Sequence, residues 1–504
     1  MKVLLMHRDR GLDLEGKLPA NEYDLSRDLQ LETLFKAMAG KDKFLLDLAK
    51  KVLLTSLLDV DSILFRQGVL KDCLKNPDVV AELFKLSADA IAKEKQDWAW
   101  NDAYKSADQT FQRSVRLLKM LFSKLKELRA IVDQHAGRFE SDGFKGLFEM
   151  VQGEISDSYL ASIEGHLKEL ELGEGTLISA ELGEGNKGTG YALCRQPEDR
   201  KEGRRLFGRK TGQFTFTLNT NDQTGPEMMA ELRDRGINGL ANTLAQSSDH
   251  LLGFFVSLRN ELAFYVACMN LRDQLAARGE PVCFPTPAER GRRSRAFKGL
   301  YDPCLALRRD ERVVGNDLEA EGKDLVVVTG ANRGGKSTFL RSVGISQLLM
   351  QAGAFAPGES LHADICTGVF THFTREEDSS MKSGKLDEEL GRMSKIVDSL
   401  SPDCMVLFNE SFASTNEREG SEISRQIVAA LLERRVEVFF VTHQYEFAHL
   451  LYEKGTPNAA FLRAQRLENG ERTFRVLPGE PLPTSYGDDL YHRIFLAQGP
   501  GAKG

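Results

Sequence analysis

The sequence predicts a multidomain protein in which an all-α half carries a small β-containing insert and is followed by an α/β domain. Three observations predict this architecture. Through the first ~165 residues, apolar side chains recur at spacings of three and four, and glycine and proline are sparse. Residues 170–220 are rich in glycine and contain short β-type runs. From about residue 301, short β-branched runs alternate with helical segments.

Two apolar stripes predict long helices. The first consists of Phe111, Val115, Leu118, Phe122 and Leu125, with Lys and Arg on the other faces. The second consists of Leu251, Phe255, Leu258, Leu262, Tyr265 and Met269. Its alternating steps of four and three are typical of a coiled-coil seam or a long antiparallel helix pair. We expect the two stripes to pack together.

The insert is predicted from the β-type runs at 176–180 and 214–218. Between them, residues 183–188 match the pattern G-x-G-x-x-G, but no long helical run follows. A hairpin or flexible loop is therefore favoured over a dinucleotide site.

Prolines at 281, 285 and 287 break the helical pattern and mark the main domain boundary. We predict a helical core and first lever arm at 1–165, the clamp-like insert at 166–225, returning lever helices at 226–280 and the α/β domain at 281–504.

A phosphate-binding loop is predicted at 330–337, which fits G-x-x-x-x-G-K-[ST] between an apolar strand and a helical run. Its backbone N–H groups and the helix N-terminus would hold phosphates. Lys336 would reach the β- and γ-phosphates of ATP, and Ser337 would ligate Mg²⁺. The predicted nucleotide contacts in this segment are Gly330, Ala331, Asn332, Arg333, Gly334, Gly335, Lys336, Ser337 and Thr338.

Polar residues also follow two other predicted strands. Asn409 and Glu410 come after the run 405–408, where P-loop ATPases of this type usually carry Asp-Glu. Asn409 would hold Mg²⁺ through water, weakly because the charge is missing, so turnover should be slow. Glu410 is the candidate general base, or else a solvated strand-end residue. His443 follows the third strand, where it would sense the γ-phosphate or serve a structural role.

These motifs resemble the MutS family of ATPases, relatives of the ABC-type ATPases. The resemblance rests on 329–338, on Asn409-Glu410 with the residues behind them, and on Thr442-His443. Residues 383–385 are similar to the family's signature loop, and 485–487 also resemble the family. Weaker similarity in 57–61, 66–67 and 240–271 extends to the family's helical core and returning lever.

The resemblance implies a lever ending in a clamp near DNA, with the insert as a shortened or altered clamp. It also implies head-to-tail pairing of two ATPase domains in a homodimer, so that Ser383 of one chain faces the γ-phosphate held by the other. From the residues alone, Ser383 is better suited to a turn than to a functional role. No mismatch-reading domain with its Phe-x-Glu element and no appended nuclease-like domain are expected, so classical mismatch reading is not predicted.

Two basic clusters are candidates for phosphate contact, although solvated charge is the common explanation for such runs. The first lies in the insert and consists of Arg200, Lys201, Arg204, Arg205, Arg209 and Lys210. The second lies at the domain boundary and consists of Arg290, Arg292, Arg293, Arg295 and Lys298.

Two functions stay open from the sequence. One is a DNA-binding ATPase, acting as a nucleotide-gated clamp on double-stranded or branched DNA in mismatch repair or a related pathway. The other is an ATP-driven switch on ribosomes, RNA or a protein partner. A transporter ATPase is disfavoured, because no run approaches the ~18 apolar residues of a membrane span.

Composition adds little to this choice. The net charge of −7 excludes a wholly basic coat but not a local basic patch. Seven dispersed cysteines without a C-x-x-C pair indicate reduced thiols. The absence of a long apolar run or targeting segment in the sequence predicts a cytoplasmic protein.

Overall fold

The computed structural model describes residues 1–99, 106–170, 176–194, 217, 224–375, 384–468 and 470–483. The first basic cluster, Ser383, residues 485–487 and all of the run 214–218 except residue 217 lie outside the described residues. The chain divides into two compact units. The first unit comprises Met1–Val3, Asp78–Phe139 and Lys145–Asn260, and the second comprises Leu4–Pro77, Glu140–Phe144 and Glu261–Gly504.

Helices dominate up to residue 276, and helices alternate with strands after it. The helices are α1 (Glu22–Asp28), α2 (Leu31–Ala39), α3 (Lys43–Leu54), α4 (Val60–Lys75), α5 (Pro77–Ala99), α6 (Ala107–His135), α7 (Asp142–Glu154), α8 (Asp157–Glu169), α9 (Thr224–Ala276), α10 (Pro303–Ala306), α11 (Lys336–Gln351), α12 (Lys385–Ser399), α13 (Glu417–Glu433) and α14 (Tyr445–Glu453). The strands are β1 (Leu177–Leu182), β2 (Gly188–Cys194), β3 (Val282–Cys283), β4 (Thr286–Ala288), β5 (Arg295–Leu300), β6 (Asn316–Glu319), β7 (Leu325–Gly330), β8 (Ala356–Pro357), β9 (Ser360–Asp364), β10 (Val369–Phe373), β11 (Met405–Asn409), β12 (Glu437–Val441), β13 (Ala459–Arg466) and β14 (Arg472–Pro478).

The helical character predicted for the N-terminal part is confirmed by α1 to α8. Side-chain caps mark several of the starts: Asp42 accepts a hydrogen bond from the amide of Phe44, and Asp59 accepts one from the amide of Ser62. Such caps satisfy amides that have no partner within the helix. The first predicted stripe lies on α6, where all five of its residues are buried.

Within the first unit, α6 packs against α9, although Leu251 is the one residue of the second stripe found in the two clusters that join them. Phe111 and Val115 form a buried cluster with Ile237 and Ala241. Leu118 and Phe122 form a second cluster, to which Leu251 belongs. The contact therefore falls mainly on the part of α9 that precedes the second stripe, whose later residues are buried in the second unit.

The glycine pattern at 183–188 is a hairpin turn. Strands β1 and β2 pair antiparallel on either side of it, and the amide of Gly183 donates to the carbonyl of Lys187 at 2.8 Å. The hairpin interpretation is therefore confirmed, and the G-x-G-x-x-G match here is coincidental.

The second unit contains a six-stranded sheet with the order β10-β11-β12-β7-β13-β14. The first five strands run parallel, and β14 is an antiparallel edge strand. Strands β10 and β12 are buried along their whole length, and β7 and β11 are buried up to their last residue, as in a parallel sheet covered on both faces. This order brings the carboxyl ends of β11, β12 and β7 side by side.

One described helix, α9, is long and apolar enough to cross a membrane by length and composition alone. Its most apolar 18-residue window has a mean hydropathy of 1.3, and 56% of that window is buried inside the protein. Core helices pass the same test, and α9 carries the buried carboxylate of Glu261. We therefore read α9 as a core helix.

Candidate functional site

The loop between β7 and α11 has a backbone that only glycine fits at two positions. Gly330 has φ +108° and Gly335 has φ +96°. A Cβ on Gly330 would lie 2.9 Å from the amide nitrogen of Ala464, and one on Gly335 would lie 3.2 Å from the carbonyl oxygen of Phe474. The loop therefore curls tightly onto the N-terminus of α11, which begins at Lys336.

Lys336 is almost completely buried, with 5% of its side chain exposed. Its Nζ donates to the carbonyl oxygens of Gly330 at 2.9 Å and Ala331 at 3.3 Å, and lies 3.6 Å from Oε1 of Glu410. Burial lowers the pKa of Lys336, while the nearby carboxylate opposes that shift. The ammonium group is thus held over the loop by weak carbonyl acceptors.

Ser337 contacts the end of β11. Its hydroxyl donates to Oδ1 of Asn409 at 2.8 Å. The hydroxyl oxygen of Ser337, in the first turn of α11, and the amide oxygen of Asn409, at the carboxyl end of β11, therefore lie side by side, and both are neutral.

Glu410 has a left-handed backbone, with φ +54°, which turns its side chain toward the next strand end. Its amide donates to the carbonyl of Val441 at 2.9 Å. Its Oε2 accepts from the backbone amide of His443 at 3.0 Å and from Nδ1 of His443 at 2.5 Å. The hydrogen bond to Glu410 raises the pKa of His443, against the effect of burial. The structure therefore brings Lys336, Glu410 and His443 together.

A cleft opens at this place, with a volume of about 660 Å³. Its lining includes the glycine loop, Glu410 and a wall contributed by residues 309–316 and Phe474. Sequence reasoning missed this wall, because nothing in the local pattern of 309–316 distinguishes it from an ordinary loop. Phe474 can be recognised only from the structure, where the residue is 48% exposed on strand β14 and its backbone has φ +59°.

A buried polar network behind Glu410 was also missed. Glu389 on α12 accepts hydrogen bonds at Oε2 from the amide of Phe412 and the hydroxyl of Ser414, both at 3.0 Å. His372 donates from Nε2 to the carbonyl of Glu389 at 2.9 Å, and its Nδ1 lies 2.7 Å from Oγ of Ser411. Burial lowers the pKa of His372 to about 4, so the ring is neutral. This network joins α12 to the loop that carries Glu410.

The second basic cluster is partly structural, so not all of its members are free to contact phosphates. Nε of Arg293 donates to Asp324 at 2.5 Å. Arg295 is 3% exposed and donates to Glu437 from Nε at 2.7 Å and from Nη2 at 2.9 Å. The other members, Arg290, Arg292 and Lys298, are exposed.

The described residues contain no group of three or more His, Cys, Asp or Glu side chains suited to a metal ion. Ser337 and Asn409 nevertheless offer oxygen donors, which hard cations such as Mg²⁺ prefer. Mg²⁺ commonly takes only one or two protein ligands, with phosphates and water supplying the rest. The donor set therefore fits Mg²⁺ bound together with a nucleotide.

The fold and the site define a protein class: a helical protein with a mainly parallel α/β unit whose glycine loop and helix N-terminus form a candidate phosphate site. Comparison with known proteins is more specific. Residues 58–278 match the MutS2 N-terminal domain, and residues 326–489 match MutS domain V. The chain belongs to the MutS family.

Similar proteins include the DNA mismatch repair protein MutS of Thermus aquaticus, which is 34% identical over 187 residues, or 36% of this chain and 22% of that protein. MutS protein homolog 4 of Mus musculus is 28% identical over 156 residues, or 31% of this chain and 16% of that protein. The MutS of Porphyromonas gingivalis is 28% identical over 209 residues, covering 38% of this chain and 23% of that protein. The chain thus aligns with less than a quarter of the length of each of these relatives.

Proposed function

We propose that the protein binds and hydrolyses ATP with Mg²⁺ and uses the nucleotide state to control binding to DNA. The observation that carries the proposal is the convergence of the glycine loop, Lys336 and Glu410 at one cleft, with His443 hydrogen-bonded to Glu410. Membership of the MutS family supports it, because the similar proteins include ones named DNA mismatch repair protein.

In this proposal, residues 330–338 hold the phosphates through backbone N–H groups and the dipole of α11. Lys336 exchanges its carbonyl acceptors for the β- and γ-phosphates, which are stronger partners for an ammonium group. The apolar faces of Val313, Val314 and Phe474 on the cleft wall suit the nucleobase.

Glu410 is proposed as the general base for the attacking water. Its Oε2 is engaged by His443, and Oε1 faces the ammonium group of Lys336. Withdrawal of Lys336 toward bound phosphates would free Oε1 to accept a proton from water. His443 would keep the carboxylate oriented and sense the γ-phosphate.

Ser337 and Asn409 are proposed to hold Mg²⁺, Asn409 through a water molecule. When bound, the ion neutralises charge on the β- and γ-phosphate oxygens. The neutral amide of Asn409 gives weaker attraction than a carboxylate, so we expect slow turnover and a switch-like role.

Replacing Asn409 with Asp tests this assignment. Asp preserves an acceptor for Ser337 and adds a negative charge, so we expect half-maximal ATPase activity at a roughly three- to tenfold lower Mg²⁺ concentration. A magnesium titration of the steady-state rate measures the effect. Asn238→Asp makes the same chemical change at an exposed position on α9 and should leave the magnesium dependence unchanged. An inactive Asn409→Asp variant, or one with unchanged magnesium dependence, would contradict the assignment.

We further propose that the chain is divided as the sequence predicts, with a core and lever at 1–165, a clamp-like insert at 166–225, returning helices at 226–280 and the ATPase domain at 281–504.

We also propose that the ATPase domains of two chains pair head to tail in a cytoplasmic homodimer, with Ser383 of one chain facing the γ-phosphate held by the other. In such a dimer, the buried network from Glu389 to Phe412 would join α12, which begins two residues after Ser383, to the loop that follows Glu410.

DNA binding is tested by the ATPase rate and by the salt dependence of affinity. We expect double-stranded or branched DNA to stimulate hydrolysis. If all six side chains of the first basic cluster neutralise phosphates, log affinity should fall with log salt at a slope of about −5, a loss of about 10³-fold between 50 and 200 mM salt. Fluorescence anisotropy with labelled duplex and branched DNA measures this.

Substituting Arg204 and Arg205 with Gln should make the slope shallower by about 2. The matched control substitutes Arg290 and Arg292, which are exposed members of the second cluster, and should leave the slope unchanged. If DNA changes neither the ATPase rate nor nucleotide affinity at low salt, DNA is not the partner. Recovery of ribosomal particles without DNA would then favour the alternative switch on ribosomes, RNA or protein.

A further inference from the structure

One wall of the cleft is attached to the segment that follows α9. Arg278, two residues past the end of this helix, donates from Nη1 to the carbonyl of Gln274 at 2.8 Å. The same guanidinium donates from Nε to the carbonyl of Arg309 and from Nη2 to that of Leu307, both at 3.3 Å. It therefore links the last turns of α9 to the start of the wall.

Glu280 provides a second and shorter attachment. Its Oε1 accepts a hydrogen bond from the amide of Val313 at 2.7 Å, and Val313 lines the cleft. Only 1% of the Glu280 side chain is exposed. Its other oxygen, Oε2, accepts no hydrogen bond from the described residues, and Nε of Arg312 lies 3.8 Å from it. Burial raises the pKa of Glu280, an effect that the Val313 amide and Arg312 oppose.

Behind this wall lies a separate cavity of about 410 Å³. Glu280, Tyr301 and residues 312–315 line it, so Arg312, Val313 and Val314 stand between the cavity and the cleft. The hydroxyl of Tyr301 is buried and has no hydrogen-bond partner among the described residues. A wall that faces open space on both sides lacks close packing to fix it, so its position depends on polar attachments.

We propose that Glu280 is a positioning residue for the nucleotide: its carboxylate holds Val313 in place and thereby couples the end of α9 to the occupancy of the cleft. The inference rests on the proposed nucleotide binding. Under this inference, a displacement of the end of α9 changes nucleotide affinity through Glu280. Because coupling between two sites is reciprocal, a bound nucleotide also stabilises the segment 274–280.

Replacement of Glu280 tests the coupling by a split between KM and kcat. Glu280→Ala removes the acceptor for Val313, and we expect KM for ATP to rise about tenfold while kcat stays within twofold. Glu280→Gln keeps a carbonyl acceptor and should restore KM to within about threefold of the original. Hydrogen exchange should show that a non-hydrolysable ATP analogue protects 274–280 in the unmodified protein, and much less in Glu280→Ala.

Tyr301→Phe is the matched control. It removes a second buried polar atom that lines the same cavity and has no hydrogen-bond partner among the described residues, without removing the acceptor for Val313, so KM and the protection by nucleotide should be unchanged. An equal rise in KM in Tyr301→Phe, or an unchanged KM in Glu280→Ala, would overturn the inference. A merely structural role for Glu280 would lower the active fraction, and hence apparent kcat, at unchanged KM. If the unmodified protein neither binds nor hydrolyses ATP, the proposed function itself has failed.

Discussion

Glu410→Gln is expected to reduce ATP hydrolysis by about 10²- to 10⁴-fold while leaving ATP binding intact. Glutamine has nearly the same shape, and its carbonyl can still accept a hydrogen bond from the amide of His443. It cannot accept a proton from water, so the loss falls on the chemical step. The expected increase in the barrier is about 3–5 kcal/mol. Single-turnover hydrolysis and equilibrium binding of a fluorescent ATP analogue separate the two quantities.

The control for this substitution is Glu446→Gln, which makes the same chemical change at an exposed position three residues past His443. Its turnover should match that of the unmodified protein. In sedimentation with ATP, Glu410→Gln should accumulate the dimer, because the nucleotide that closes it is no longer consumed. Unchanged turnover in Glu410→Gln would remove Glu410 as the base. Loss of ATP binding would show instead that Glu410 holds the nucleotide.

The parts of the site that the sequence predicted are those encoded locally. The tight turn at Gly330 and Gly335 needs glycine at a fixed spacing, and Lys336 follows at once. The strands that end at Asn409 and Val441 are largely apolar runs, and parallel strands bring such ends together. For these residues, chain order and strand type were sufficient to predict proximity.

The remaining parts depend on contacts between distant segments, which local patterns do not record. Glu389 lies in an acid-rich helix and cannot be distinguished by sequence from its exposed neighbours, yet it is fully buried against the loop after Glu410. Glu280 looks like one more charged residue after a long helix, although it supports a loop 33 residues away. In both cases tertiary packing determines the role of the carboxylate.

In the second basic cluster, the sequence suggests a role at the surface for a residue that the structure shows to be buried. A run of arginines at a domain boundary suggests a surface for phosphates, and Arg290 and Arg292 are indeed exposed. Arg295 is the first residue of β5, however, and its side chain lies inside the protein against Glu437. Burial would lower the pKa of Arg295, and the Glu437 carboxylate outweighs that effect and raises it. Arg295 therefore stays charged in the interior.

Arg295→Met is expected to destabilise the second unit by about 3–5 kcal/mol, because it leaves the carboxylate of Glu437 buried without its partner. Both carboxylate oxygens of Glu437 accept from Arg295, and Nη1 of Arg295 donates to Gln347 at 3.1 Å. Urea denaturation followed by the fluorescence of a bound nucleotide analogue and by circular dichroism measures the loss. Arg290→Met, in the same cluster but exposed, should change stability by no more than about 0.5 kcal/mol.

The double variant Arg295→Met with Glu437→Leu determines whether the isolated charge causes the loss. Removing the carboxylate as well replaces the ion pair with apolar groups, so most of the stability lost in Arg295→Met should return. If the double variant is as unstable as the single one, the loss comes from the packing of Arg295, including its stacking over Phe439 at 5.5 Å, and not from the unpaired charge. If Arg295→Met is fully stable but binds DNA more weakly, Arg295 faces nucleic acid and the buried ion pair is wrong.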